Sequence, residues 1–148
     1  MKSLTSANHT VLIIGPVEEE GGRSLLQRLR WRWQRMKDFA GAALLLRDRT
    51  PRIVICEQHL PDGSWKDVVD MANGLPCAPP VIVTSRLADE RLWIEVLNRG
   101  GYDLLAKPLD GAEVRRVTDS AWQDAANRRG AAGRVKARTH IKEVAYVR

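Results

Sequence analysis

Three runs of consecutive apolar, largely β-branched residues constrain this chain most: Thr10-Val-Leu-Ile-Ile14, Ile53-Val-Ile-Cys56 and Val81-Ile-Val-Thr84. A run with no polar face must be covered on both sides if it forms a strand. That is the situation of a parallel sheet between two layers of helix. The segments between the runs supply those helices. Glu18, Glu19 and Glu20 stand where a helix N-terminus favours negative charge, ahead of Leu25, Leu26 and Leu29 at helical spacing. Trp31, Trp33 and Arg35 alternate with Arg32 and Gln34, which predicts a short strand with one aromatic face. Phe39 to Arg47 returns to helical character, and Thr50-Pro51 ends it.

The second half repeats the alternation. Ser64 is placed to cap a helix from Trp65 to about Asn73, with Val68, Val69 and Ala72 on its buried side, and Gly74 stops it. A helix from about Ala88 to Asn98 is expected to carry Leu92, Trp93, Val96 and Leu97 inward, with Gly100-Gly101 at its end. Tyr102 to Leu105 reads as the fifth strand. A last helix runs from about Asp110 to Ala126 with Val114, Val117, Ala121 and Ala125 on one side. Five strands alternating with five helices predict an α/β fold with a doubly wound parallel sheet and helices on both faces. The domain then spans residues 1–126, and 127–148 form a basic C-terminal tail that begins with a hinge at Gly130-Ala-Ala-Gly133.

In such a sheet the carboxyl ends of the strands share one edge, where ligand and reaction sites form. Glu57 directly follows the run Ile53–Cys56, and Leu60-Pro61-Asp62-Gly63 then turns the chain away. Ser85 and Lys107 fall on the same edge, after the fourth and fifth strands. His59 lies beside the site, with no second ligand type to make it a metal centre. Cys56 and Cys77 form neither a disulfide nor a metal pattern.

These pieces resemble the receiver domain of bacterial two-component response regulators. VLII before a loop, IVICEQHLPDG, PVIVTSR and GGYDLLAKP occur in receiver order and spacing, and the resemblance covers roughly Thr10 to Ala126. It implies a flavodoxin-like sheet of strand order 2-1-3-4-5 and a role in phosphorelay signal transduction. It also implies a phosphoacceptor aspartate at the position of Glu57, a pair of magnesium-binding acids at Gly15-Pro16, a hydroxyl at Ser85, a phosphoryl-pairing lysine at Lys107 and a switch aromatic at Leu104. A cis peptide before Pro108 would also fit the family. Gly15 and Pro16 carry no side-chain oxygen, and Glu57 is one methylene longer than aspartate. The expectation is a degenerate pseudo-receiver with no enzyme activity and no cofactor, its Mg2+ binding weak or absent. Asp62, the other acid of the loop, reads as turn chemistry and not as a substitute phosphoacceptor.

Function is then expected through protein–protein interaction, with a partner or in a homodimer, on the face made by the fourth helix, fifth strand and fifth helix. Trp93, Tyr102 and Trp122 are its candidate anchors. Two alternatives stay open: a working phosphorelay receiver with unusual site chemistry, and a small nucleic-acid binder. The second rests on charge. The net charge is +6, and Arg128 to Arg148 hold seven Lys or Arg against Glu143 alone. A flavin-binding flavodoxin is disfavoured, because Gly15-Pro16-Val17 is no phosphate cradle. No apolar run approaches the roughly 20 residues of a membrane span, and Met1 to Thr10 is too polar for a signal sequence, so a cytoplasmic protein is expected.

Overall fold

The computed structural model describes residues 10–17 and 32–135, with side chains as far as residue 128. The predicted helix at Glu18 to Leu29, Trp31, and the tail beyond Val135 lie outside the described residues. Five parallel strands form the central sheet: β1 (Thr10–Ile14), β2 (Arg32–Met36), β3 (Ile53–Glu57), β6 (Val81–Ser85) and β7 (Asp103–Ala106), in the spatial order β2-β1-β3-β6-β7. Counted without the small hairpin described next, this is the expected 2-1-3-4-5 order. β4 (His59–Leu60) and β5 (Gly63–Ser64) pair antiparallel across Pro61-Asp62, so the turn after Glu57 is a closed hairpin.

Four helices are described: α1 (Phe39–Asp48), α2 (Trp65–Asn73), α3 (Glu90–Arg99) and α4 (Gly111–Val135). Three helix starts and one helix end have a local cause. Asp38 and Asp89 cap α1 and α3 through the Gly41 and Leu92 amides, and Ser64 and Asp67 form a reciprocal capping box on α2. Gly100 ends α3 at φ +108, in the left-handed region that glycine enters at low cost.

The period of two along each strand divides the core between the two faces of the sheet. Leu12, Ile14, Val54, Cys56, Val81 and Val83 meet Leu46, Trp65, Val68, Leu92 and Val96 of α1 to α3. Val11, Ile13, Ile53, Ile55, Ile82 and Leu105 meet Val114, Val117 and Ala121 of α4. The runs are apolar throughout because both faces are covered.

Two expectations need correction. Leu92 and Val96 are buried, but Trp93 and Leu97 are 43% and 39% exposed. The α3 contact is a narrow i, i+4 stripe, so the neighbouring apolar positions turn outward. The last helix does not end at Ala126 either. It is continuous to Val135, 25 residues and about 37 Å long, so Gly130-Ala-Ala-Gly133 is helical where a hinge was expected. Two alanines between the glycines keep helix propensity high enough to continue.

Candidate functional site

At the carboxyl edge, the side chains of β3, β6 and β7 converge on Glu57. Register places Glu57 beside Thr84 and Ser85 beside Ala106, with Lys107 next in line. Lys107 Nζ donates to Glu57 Oε1 at 2.9 Å and to the Pro16 carbonyl at 2.8 Å, and Thr84 Oγ1 donates to the same Glu57 Oε1 at 2.9 Å. The pair is well shielded, with side-chain exposures of 4% for Lys107 and 15% for Glu57. The Lys107-Pro108 peptide is cis.

The hydroxyl at the carboxylate is therefore Thr84, not the predicted Ser85. Ser85 is buried too, but its Oγ donates to Gln58 Oε1 and accepts from the Leu87 amide at 2.9 Å. Neighbouring strand residues point to opposite faces, so only one of the two can meet Glu57. The sequence offers both hydroxyls, and only the β3–β6 register separates them.

Gly15 closes the site from the β1 side. Its φ is +86, and a Cβ built there would lie 2.7 Å from Leu60 Cδ2 and 3.0 Å from Glu57 Cβ. The position expected from the resemblance to hold an acid thus has neither an oxygen nor space for a side chain. The Pro16 carbonyl and the Glu57 carboxylate both hold the lysine ammonium. One carboxylate and one carbonyl fall short of the near-octahedral oxygen set of magnesium. Among the described residues no cluster of three or more His, Cys, Asp or Glu could hold a metal.

Asp62 has a role that turn chemistry does not reveal. Its two oxygens accept from the Phe39 and Ala40 amides at 2.8 and 2.9 Å, tying the hairpin after Glu57 to the N-terminus of α1. Those backbone hydrogen bonds, the Phe39 one first, hold its carboxyl below the usual aspartate range. The pairing spans 23 residues and leaves no local signature. His59 is exposed on β4, away from these contacts. Cys56 is buried, and burial, with the Glu57 charge second, pushes its thiol far above the ordinary range.

The three candidate anchors separate. Trp93 is exposed on α3 and donates through Nε1 to Asp103 Oδ1 at 3.0 Å, at the start of β7. Tyr102 precedes β7 and its hydroxyl donates to Asp124 Oδ2 of α4 at 2.8 Å. Trp122 is half-buried, 4.5 Å from the Arg52 guanidinium at the entry to β3. Leu104, the switch position, packs half-buried against the α1–α3 core. Exposed Leu87, Trp93, Ile94 and Leu97 belong to α3 and the loop before it.

No protein-family model matches the sequence. No curated protein matches it either. Solved structures do. The receiver domain of an HD domain-containing protein from Pseudomonas fluorescens superposes with a TM-score of 0.69 at 22% identity, over 81% of this chain and 98% of that one. The fold is that of a response-regulator receiver domain. Other receivers agree at similar distance. A receiver domain protein from Methanospirillum hungatei gives a TM-score of 0.68 at 11% identity, covering 81% of this chain and 98% of its own. The beryllofluoride-activated NtrC4 receiver domain dimer gives 0.68 at 19%, covering 78% and 98%. In this sheet Glu57 ends β3 and Lys107 directly follows β7. No helix among the described residues is long and apolar enough to cross a membrane.

Proposed function

We propose that this chain is a receiver-like signalling module that acts through protein–protein contact and independently of phosphorylation. The observation that carries the reading is the Lys107 ammonium, bonded at once to Glu57 Oε1 and the Pro16 carbonyl. The lysine that would answer a phosphoryl group is engaged by a carboxylate the chain itself supplies. That carboxylate has one charge and two acceptor oxygens, against nearly two charges and three oxygens for a phosphoryl group, so it is a partial stand-in. With the β1 position blocked at Gly15, magnesium binding is weak or absent, and no enzyme activity or cofactor is assigned.

The contact surface is α3 with the start of β7, where Trp93, Ile94 and Leu97 are exposed. An aromatic anchor fixed by a hydrogen bond, as Trp93 is by Asp103, suits an interface core. That a similar structure is a receiver dimer supports a second copy as one candidate partner.

The test is incubation with acetyl phosphate, or with beryllofluoride, in the presence of magnesium, read by intact mass and by amide NMR shifts at Glu57, Thr84 and Lys107. No adduct and no shifts are expected. A magnesium-dependent adduct, or coherent shifts across those three residues, would return the protein to a working phosphorelay.

A further inference from the structure

The amino edge of the sheet, opposite Glu57, carries different chemistry. Arg32 opens β2 in register with Thr10, and the Arg52 amide donates to the Thr10 carbonyl at 2.8 Å, so both arginines flank the start of β1. Exposed Arg47 and Arg49 end α1 and lead into β3 at the same corner. Among the described residues, four arginines stand there with one acid, Asp48. The other corner is concave. Under the residues leading into β6 and β7 lies a cavity of about 380 Å³, lined among others by Asn73, Pro80, Gly101, Tyr102, Asn127 and Arg128. Its lining carries one charge of each sign: Asp124, which accepts from Tyr102, and exposed Arg128.

A basic corner beside a polar cavity is a specific combination. The cavity is large enough for one small ring system, within the roughly 300–1,000 Å³ of small-molecule sites. Amide side chains such as Asn73 and Asn127 offer both a donor and an acceptor, which suits a base edge. By strand order the cavity lies one to two strand spacings, about 5–10 Å, from the entry to β3 and three to four, about 15–20 Å, from Arg32, so one short strand a few nucleotides long can touch both. A base can enter a cavity only if it is unstacked, which a duplex does not allow without paying to expel it. In sequence, residues 129–148 add six Lys or Arg against one Glu.

We propose that the amino edge binds single-stranded nucleic acid, with phosphates on Arg32, Arg47 and Arg49 and one unstacked base in the cavity beside Asn127. The site does not involve the Glu57–Lys107 pair and stands apart from the signalling reading. The probe is a fluorescent RNA strand of about twelve nucleotides, with its duplex as the comparison. Anisotropy is read with the 148-residue chain from about 50 to about 200 mM salt.

The single strand should bind more tightly than the duplex, with log affinity falling linearly in log salt. Arg47→Ala with Arg49→Ala should flatten the slope by roughly 0.7 for each phosphate no longer neutralised. Asn127→Ala should weaken binding several-fold and leave the slope unchanged. Three outcomes overturn the proposal. They are no binding at the lowest salt, duplex binding as tight as the single strand, and unchanged affinity and slope in both variants, which would assign the binding to the tail alone.

Discussion

Glu57 and Lys107 stand 50 residues apart in sequence and 2.9 Å apart in space, joined in an ion pair that water barely reaches. Removing one member of such a pair strands the other. Glu57→Gln keeps the shape and leaves the ammonium facing an amide. It should cost about 3 kcal/mol in urea unfolding, at the lower end for a broken buried pair because Glu57 retains some exposure. Combining it with Lys107→Met removes the stranded charge, and the double variant should be more stable than Glu57→Gln alone. A double variant no more stable than the single would mean that the pair is not the source of the cost.

Thr84 and Ser85 should separate by mutation as they do by geometry. Thr84→Val preserves shape and removes a donor to a charged oxygen, at a cost of about 1.5–3 kcal/mol. Ser85→Ala removes neutral hydrogen bonds and should cost about 1 kcal/mol. A double-mutant cycle with Glu57→Gln discriminates further: coupling is expected for Thr84 and not for Ser85.

Gly15→Asp restores an acid where the receiver resemblance places one, yet it should neither recruit magnesium nor be tolerated. The left-handed backbone costs about 1–2 kcal/mol, and the Cβ contact with Leu60 adds about 1–3 kcal/mol of overpacking. In a Leu60→Ala background the same substitution should cost less, because the contact at 2.7 Å is with that side chain. Equal cost in both backgrounds would leave the left-handed backbone and the Glu57 Cβ contact at 3.0 Å as the cause.

The clamp from Asp62 to α1 has a pH signature. Folding lowers the Asp62 pKa, with the Phe39 amide as the main cause, so its contribution is complete above the unfolded aspartate value of about 3.9 and fades as pH falls through the lower folded value. The urea midpoint gap between wild type and Asp62→Asn should therefore be flat from neutral pH to about 5 and shrink below about 4. A gap that grows on acidification would reverse the sign and discard the clamp.

Thiol accessibility gives a direct check of the core. Cys77 is exposed, whereas Cys56 is buried with its thiolate disfavoured by burial and by Glu57. A disulfide reagent at neutral pH should titrate Cys77 quickly in the native protein and reach Cys56 only on unfolding. Rapid reaction of both would show that β3 is open to solvent.

The sheet was legible because its signal is local: a strand covered on both faces is apolar along its buried length, as Val11–Ile14, Ile53–Cys56 and Val81–Val83 are. Helix caps at Ser64 and Gly100 were equally plain, since capping acts within a few residues. Glu57 and Lys107 could be placed because strand ends align on one edge. Thr84 was missed for Ser85 because a shift of one residue in register exchanges the faces. The Asp62 clamp was missed because its partners, the Phe39 and Ala40 amides, lie in a helix 22 to 23 residues away. Trp93 was expected inward because hydrophobicity alone does not tell how wide a stripe the sheet will cover.

A charge pair made wholly from the chain's own side chains arrives with translation and leaves only with the protein. A phosphoryl group is a timer, set by one enzyme and run down by hydrolysis, whereas Glu57 keeps no time. On the proposed phosphorylation-independent reading, the information carried forward would be how many copies exist, with control passing from chemistry at the site to synthesis and turnover of the chain.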